Sequence, residues 1–332
     1  MKKIGSFNVR NIRHISGYRK IEIAHDFNVD GVSTAKDPEN NTVLFYKKLS
    51  ANDISRLRSV RQAVIIIRQE DMNLIDAEIG ANNLVLPVQS PRKEYARILG
   101  FIIANQAHKD RQYKTVDNFV IVGENVTIGR GTIIQPFVFI DHDVTIGENC
   151  LISAGVKIGQ CVEIADHTNI GFNSVIGGLG FGFEREEGDG TPIHIPQIGG
   201  IRIGSHVEVG AMSSIAQGTI NPTIIEDHVK IDDHVFLAHN CHIGRGSFVI
   251  ACAEVSGSVV VGKNSWIGPN SAIINGVEIG EDCTVGIGSV VVKSVPGGKT
   301  VAGNPADDIE TVKQFRVLQK NLLTKFATNH EL

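Results

Sequence analysis

Long hydrophobic runs are missing from this chain. The longest uninterrupted aliphatic stretch is Ala63-Val64-Ile65-Ile66-Ile67, far short of the ~20 residues that a bilayer-spanning helix needs. The basic start Met1-Lys2-Lys3 is not followed by an apolar segment, so it does not read as a signal peptide, and a cytoplasmic protein is expected. Charge of one sign is also missing: 32 Lys and Arg stand against 36 Asp and Glu, a formal net charge of −4. That leaves no basic footprint for nucleic acid. Cysteine is scarce. The five cysteines include no C-x-x-C pair, and an odd number makes no closed disulfide set. They read as small buried thiols. What remains, 42% hydrophobic and 20% charged residues over 332 positions, suffices for one large repeat domain and a smaller partner.

The large domain announces itself by period. From Ile225, every sixth residue is aliphatic: Ile231, Leu237, Ile243, Val249, Val255, Val261, Ile267, Ile273, Ile279, Val285 and Val291. Neither a helix nor an ordinary strand demands a step of six. Six residues are three pleats, one short flat side of a coil, and three sides close a triangle of 18 residues. This is the hexapeptide signature of a parallel β-helix. The same step runs from Val122 to Ile176, resumes at Ile203, Val209 and Ile215, and jumps ten residues across Asn221-Pro222 to Ile225. Glycine recurs directly after the aliphatic residue (Gly129, Gly147, Gly244, Gly280), where a sharp corner is expected.

The fold class expected is therefore mainly β: a hexapeptide β-helix over 113–305, a small α/β domain over 1–112, and a C-terminal helix over 306–332. In the first part, Lys20 to Ile23, Asn41 to Tyr46 and Ala63 to Arg68 read as strands. Ala51 to Arg61 reads as a helix, and Ser90-Pro91 opens another. The break at 177–200 is too long to be a simple corner, and such insertions are usually functional. In the last segment Ile309, Val312, Phe315, Leu318, Leu322 and Phe326 share one face of a helix. That face is expected to pack on the last coil, capping its open end, or on a second copy.

Stacked coils turn distant residues into columns. His239 stands two after Leu237; 18 residues on is Gly257, two after Val255, and 18 further is Asn275. A base, an exposed backbone amide and a side-chain amide in one column suit acyl transfer. The same three also suit a corner histidine, a turn glycine and a turn asparagine with no chemistry. His234 and His239 are five apart, a spacing found in γ-class carbonic anhydrases, but zinc needs a third ligand and no upstream histidine supplies one, so no metal is expected. A non-catalytic structural β-helix subunit is the other alternative.

Several segments together resemble the UDP-3-O-acylglucosamine N-acyltransferase family. They are Tyr95-Ala96-Arg97, Gly180-Phe181-Gly182-Phe183, Ile195-Pro196-Gln197-Ile198-Gly199, Ile231-Asp232, Ala238-His239-Asn240, Gly257-Ser258 and Gly303-Asn304-Pro305-Ala306. The resemblance covers nearly the whole chain. It implies a left-handed prism that forms a homotrimer, with His239 as general base and the Gly257 amide facing a thioester oxygen. The acceptor would be a UDP- or dTDP-linked amino sugar of lipid A or another surface glycan. The donor would be acyl carrier protein or coenzyme A bearing the acyl group, with no bound cofactor. The ending Val285 to Lys293 is similar to that of CoA-dependent acetyltransferases. Phe45 or Tyr46 would stack on the nucleotide base, and Asn240, Phe181, Phe183 and Gln197 would contact substrate. Where the family has a second histidine near the oxyanion this chain has Gly276, which makes Asn275 the candidate donor.

Overall fold

The hexad aliphatics point into a triangular prism, because successive strand residues face opposite sides. In this computed structural model, which describes residues 1–15, 18, 23–105, 112, 114–116 and 119–328, the chain divides into two units. The larger comprises Arg111–Gly180, Gly199–Gly218 and Pro222–Leu332. Its strands are two to four residues long and stack in three parallel faces. Leu237 pairs with Val255 and Val255 with Ile273, one coil of 18 residues at each step. Ile176 pairs directly with Ile215 and Ile203 with Ile225, so neither insertion interrupts the stack. Leu237, Val255, Ile273, Ile243 and Val249 are fully buried. Each such side chain contributes roughly 1.5–3 kcal/mol of transfer free energy.

The corners differ from the expectation in one respect. The turn residue in the left-handed region is the third after the aliphatic, not the first: Asn240 has φ 61°, Ser258 62°, Asn264 55° and Gly276 73°. The glycines directly after the aliphatic serve close approach instead. A Cβ on Gly244 would lie 2.6 Å from the backbone nitrogen of Lys263 in the next coil.

The smaller unit comprises Met1–Asp110, Phe181–Ile198 and Thr219–Asn221. It is built on a five-stranded sheet in chain order: Lys2–Asn8, Asn28–Val32, Thr42–Phe45, Val64–Arg68 and Leu84–Val88, the first pair antiparallel and the others parallel. Helix α1 (Ala51–Leu57) opens with a capping box between Ser50 and Asp53. Helices α2 (Ala77–Asn82) and α3 (Pro91–Asn105) follow. Of the strand expected at Lys20 to Ile23, residues 20–22 lie outside the described residues, as does most of the boundary expected at His108 to Lys114.

The long insertion behaves differently from a prism loop. Residues 181–198 belong to the smaller unit, where Phe183–Arg185 and Pro192–His194 form an antiparallel hairpin on α3. Arg92 pairs with Glu184 at 2.6 Å, Lys93 with Glu187 at 3.0 Å, and Arg97 with Glu186. The acidic run of the insertion is thus matched by the basic residues of one helix.

At the far end of the prism, Thr300–Ala302 continues one face and pairs antiparallel with Asp307–Asp308. Helix α4 (Ile309–Thr328) meets these last two strands, but its apolar face is not covered. Only its beginning is partly covered, and Phe315, Leu318 and Leu322 are 67%, 57% and 55% exposed. The side chain of Phe326 lies outside the described residues.

Candidate active site

His239 sits on a prism corner two residues after the strand Phe236–Leu237 and is half-buried. Its Nδ1 lies 3.0 Å from Oδ1 of Asn240. An amide oxygen only accepts, so this contact places the proton on Nδ1 and leaves the Nε2 lone pair available as a base. Asn240, expected among the substrate contacts, turns its side-chain oxygen toward the base. The adjoining Cys241 is buried and inert: burial pushes its thiol up to about 12, and Sγ donates to the carbonyl of Ser256 at 3.2 Å.

Gly257 lies one coil above. A Cβ there would stand 2.7 Å from Cε1 and Nε2 of His239, so the imidazole occupies the space a side chain would need. Its carbonyl accepts from Gly276 N–H at 3.0 Å, while its own N–H makes no hydrogen bond among the described residues. At the same place in some coils that N–H is capped by a neighbouring coil's acidic side chain, as in Glu148 by Asp166, Ser205 by Asp227 and Ala211 by Asp233, whereas at Arg130, Gln160, Phe172, Lys263 and Glu281, as at Gly257, it has no partner among the described residues. The uncapped donor beside a base is the arrangement that an oxyanion requires. Asn275, in the next coil, is exposed, and its side chain makes no hydrogen bond among the described residues. His239 and Gly257 are in contact, and Asn275 follows one coil further along the same column.

His234 is not part of this group. It occupies the corner before the strand Phe236–Leu237, at φ 57°, whereas His239 follows that strand. Among the described residues no three His, Cys, Asp or Glu side chains are placed to hold a metal ion. The other corner histidines, His167, His206 and His228, stack face to face at 4.9 and 5.0 Å in an exposed ladder on a different edge.

The remaining candidates lie in the smaller unit. Phe45 is half-buried, its ring 5.0 Å from that of Tyr95. Tyr46 cannot serve as a base platform. It is 2% exposed, packs with Leu44, Ile65 and Ile67, and its hydroxyl donates to the Ala35 carbonyl at 3.3 Å. Burial also holds its phenol above the ordinary value. Gln197 is likewise taken up internally: Nε2 donates to the Ile195 carbonyl at 2.9 Å, and Oε1 accepts from Thr219 at 2.8 Å. Phe181 is 84% exposed and Phe183 41%, their rings 4.9 Å apart.

Residues 143–178 and 258–293 match the family model described as bacterial transferase hexapeptide (six repeats), and residues 119–160 match the hexapeptide repeat of succinyl-transferase. The UDP-3-O-acylglucosamine N-acyltransferase of Helicobacter pylori (strain ATCC 700392 / 26695) is 32% identical over 255 residues, 74% of each chain. The chain belongs to the UDP-3-O-acylglucosamine N-acyltransferase family. Its match to the family member from Janthinobacterium sp. (strain Marseille) is 35% identical over 161 residues, 48% of this chain and 45% of that one. With the Herminiimonas arsenicoxydans member, 44% identity extends over only 28% of the relative's length. In fold, this family member is similar to the UDP-N-acetylglucosamine acyltransferase from Campylobacter jejuni, with a TM-score of 0.53 and 22% identity over 59% of this chain and 73% of that one. The UDP-N-acetylglucosamine O-acyltransferase of Moraxella catarrhalis gives 0.53 and 23% over 59% and 74%. The architecture is the mainly β, left-handed parallel β-helix of hexapeptide-repeat acyltransferases.

Proposed function

We propose that the protein is an N-acyltransferase that moves an acyl group from a thioester carrier to the amine of a nucleotide-linked amino sugar. The observation that carries this is the His239 corner: Nδ1 held on Asn240, Nε2 free, and the uncapped Gly257 N–H beside it. The amine nitrogen attacks the thioester carbonyl while Nε2 of His239 takes its proton. The carbonyl oxygen gains charge facing the Gly257 N–H, with Asn275, one coil on in the same column, as the second donor of this proposal. The C–S bond then breaks, and the leaving thiolate takes the proton back from the imidazolium. Balanced in this way, the reaction needs no metal or redox group.

The relatives named UDP-3-O-acylglucosamine N-acyltransferase support a UDP-linked acylglucosamine as acceptor, a sugar suited to lipid A synthesis. A dTDP sugar of another surface glycan is the neighbouring case. Phe45, with Phe181 and Phe183, supplies aromatic surface for the nucleotide or acyl chain. The donor is acyl carrier protein or coenzyme A. A homotrimer in the cytoplasm accords with this reading; no helix of the described residues is long and apolar enough to cross a membrane.

The test is direct. The protein is incubated with UDP- or dTDP-amino sugars and either acetyl-CoA or 3-hydroxyacyl carrier protein, and products are read by mass. Replacing His239 with Ala is expected to lower kcat by about 10²–10⁴-fold, as general-base removal does, with little change in KM. A folded variant turning over like wild type would remove His239 from the chemistry.

A further inference from the structure

The prism corners are closed by one repeated hydrogen bond. The N–H of the left-handed corner residue donates to a carbonyl one coil down: His234 to Ala211 at 3.0 Å, Asn264 to Arg245 at 2.9 Å, Ser258 to His239 at 2.8 Å, Gly276 to Gly257 at 3.0 Å. Each accepting residue stands two after a hexad aliphatic. For Asn240 the equivalent acceptor would be Gln217, two after Ile215. There the chain departs from the repeat, because ten residues rather than six separate Ile215 from Ile225. Asn240 N–H donates instead to Oγ1 of Thr223, at 3.0 Å. The corner that carries His239 thus hangs on a side-chain hydroxyl, where the other corners named hang on backbone.

Thr223 is built for this. It is fully buried, and its position in the strand Thr223–Ile225 is fixed by pairing with Ile201. Its hydroxyl proton is committed to the Ala216 carbonyl at 2.8 Å, which turns a lone pair toward Asn240. Asn240 in turn presents Oδ1 to His239 Nδ1 at 3.0 Å. Without the hydroxyl, a left-handed asparagine would lose the bond that ties its N–H to the coil beneath, and the corner would be held less firmly.

We propose that Thr223 is a positioning residue for the reaction, its hydroxyl standing in for the ladder carbonyl removed by the insertion and so fixing the direction and tautomer of His239 through Asn240. This rests on the reading of His239 as the base. It assigns a function to the four-residue surplus, which otherwise looks like a tolerated loop.

The experiment compares full-length wild type, Thr223→Ser, Thr223→Val, Thr223→Ala and His239→Ala, using whichever sugar and donor the wild type turns over. Folding is checked by circular dichroism and melting. The expectation is that Ser keeps kcat to about threefold, while Val and Ala lose ~10–100-fold, the scale of a misplaced catalytic group, with the sugar's KM held to about twofold. Spectra of protein carrying 15N-labelled histidine are expected to show His239 protonated on Nδ1 in wild type and Ser, and a tautomer mixture in Val and Ala. A merely structural threonine would lower the melting temperature without moving either readout. If His239→Ala is as active as wild type, the base assignment falls and this proposal with it. If His239→Ala is inactive but folded Val and Ala variants turn over within about twofold of wild type, the base stands and Thr223 is overturned. Should neither Val nor Ala fold, Ser decides: a folded Ser variant with full kcat supports the hydroxyl, and a ~10-fold loss assigns the effect to the methyl group and overturns it.

Discussion

His239 and Gly257 constrain each other at the scale of single atoms. A methyl at Gly257 would sit 2.7 Å from the ring atoms that include the basic nitrogen. The glycine's own backbone is not in the left-handed region, so Ala brings no conformational strain, only the clash. Gly257→Ala is therefore expected to keep the wild-type melting temperature and lose about 10²-fold in kcat, since a base displaced by ~1 Å costs on that order. A drop in Tm with kcat preserved would mean that the ring moves aside harmlessly. Asn275 invites a separate measurement. As an oxyanion donor its loss would cost about 10²–10³-fold in kcat; as a contact to the carrier arm its loss would mainly raise the donor's KM. Asn275→Ala assayed at saturating donor separates the two, and turnover within about twofold of wild type leaves Gly257 N–H as the donor.

At the scale of elements, the prism was legible because its rule is local and redundant: an inward position in a coil is aliphatic whatever else the sequence does. The column His239, Gly257 and Asn275 followed by counting. Of the two adjacent aromatics offered for the nucleotide base, only Phe45 keeps exposed surface, because a strand sends neighbours to opposite faces. Phe45 lies with Val43 and Ile66, and Tyr46 with Leu44 and Ile65. The docking of the insertion on α3 was not legible, because it depends on charge pairs such as Arg92 and Glu184 whose partners are fixed only by the fold. Thr223 left one trace, the ten-residue jump, but nothing in a jump says which side chain replaces a lost carbonyl.

The five-stranded sheet of the smaller unit offers a test at this scale. Asp71 accepts from Nε and Nη2 of Arg68, each at 3.0 Å, and from the Leu49 N–H at 3.2 Å. The Arg68 hydrogen bond holds its carboxyl below the usual range against the opposing effect of burial, with the Leu49 N–H and nearby positive charge helping. With the folded pKa depressed, the unfolded chain binds more protons in between, so stability rises with pH there. The contribution is complete above the unfolded value of ~3.9 and fades as pH falls through the folded one. Melting curves of wild type and Asp71→Asn are expected to lie well apart at neutral pH and converge below about pH 4. Curves that stay equally separated across that range would locate the acid sensitivity elsewhere.

For the whole molecule, the unexplained surface is apolar and belongs to the larger unit. Phe236, Phe248 and Trp266 stand outward on the prism faces at 40%, 38% and 42% exposure, and Phe248 meets Trp266 edge-on at 5.7 Å. Helix α4 adds Phe315, Val317, Leu318, Leu322 and Leu323, all more than half exposed. A lone chain would keep these side chains in water, and burying each is worth roughly 1.5–3 kcal/mol before ordering costs. Closed rotational symmetry buries such a surface on every copy at once without leaving an open end to polymerise. The expectation is three 35.9 kDa chains by sedimentation or light scattering at micromolar concentration. Leu318→Lys combined with Leu322→Lys places charges on the helix face and is expected to shift the assembly toward smaller species while leaving the far-ultraviolet spectrum unchanged. Wild-type protein sedimenting as a monomer would remove any role for a neighbouring prism in the site. A trimer untouched by the double substitution would assign the contact to the prism faces, where Trp266→Lys is then expected to break it.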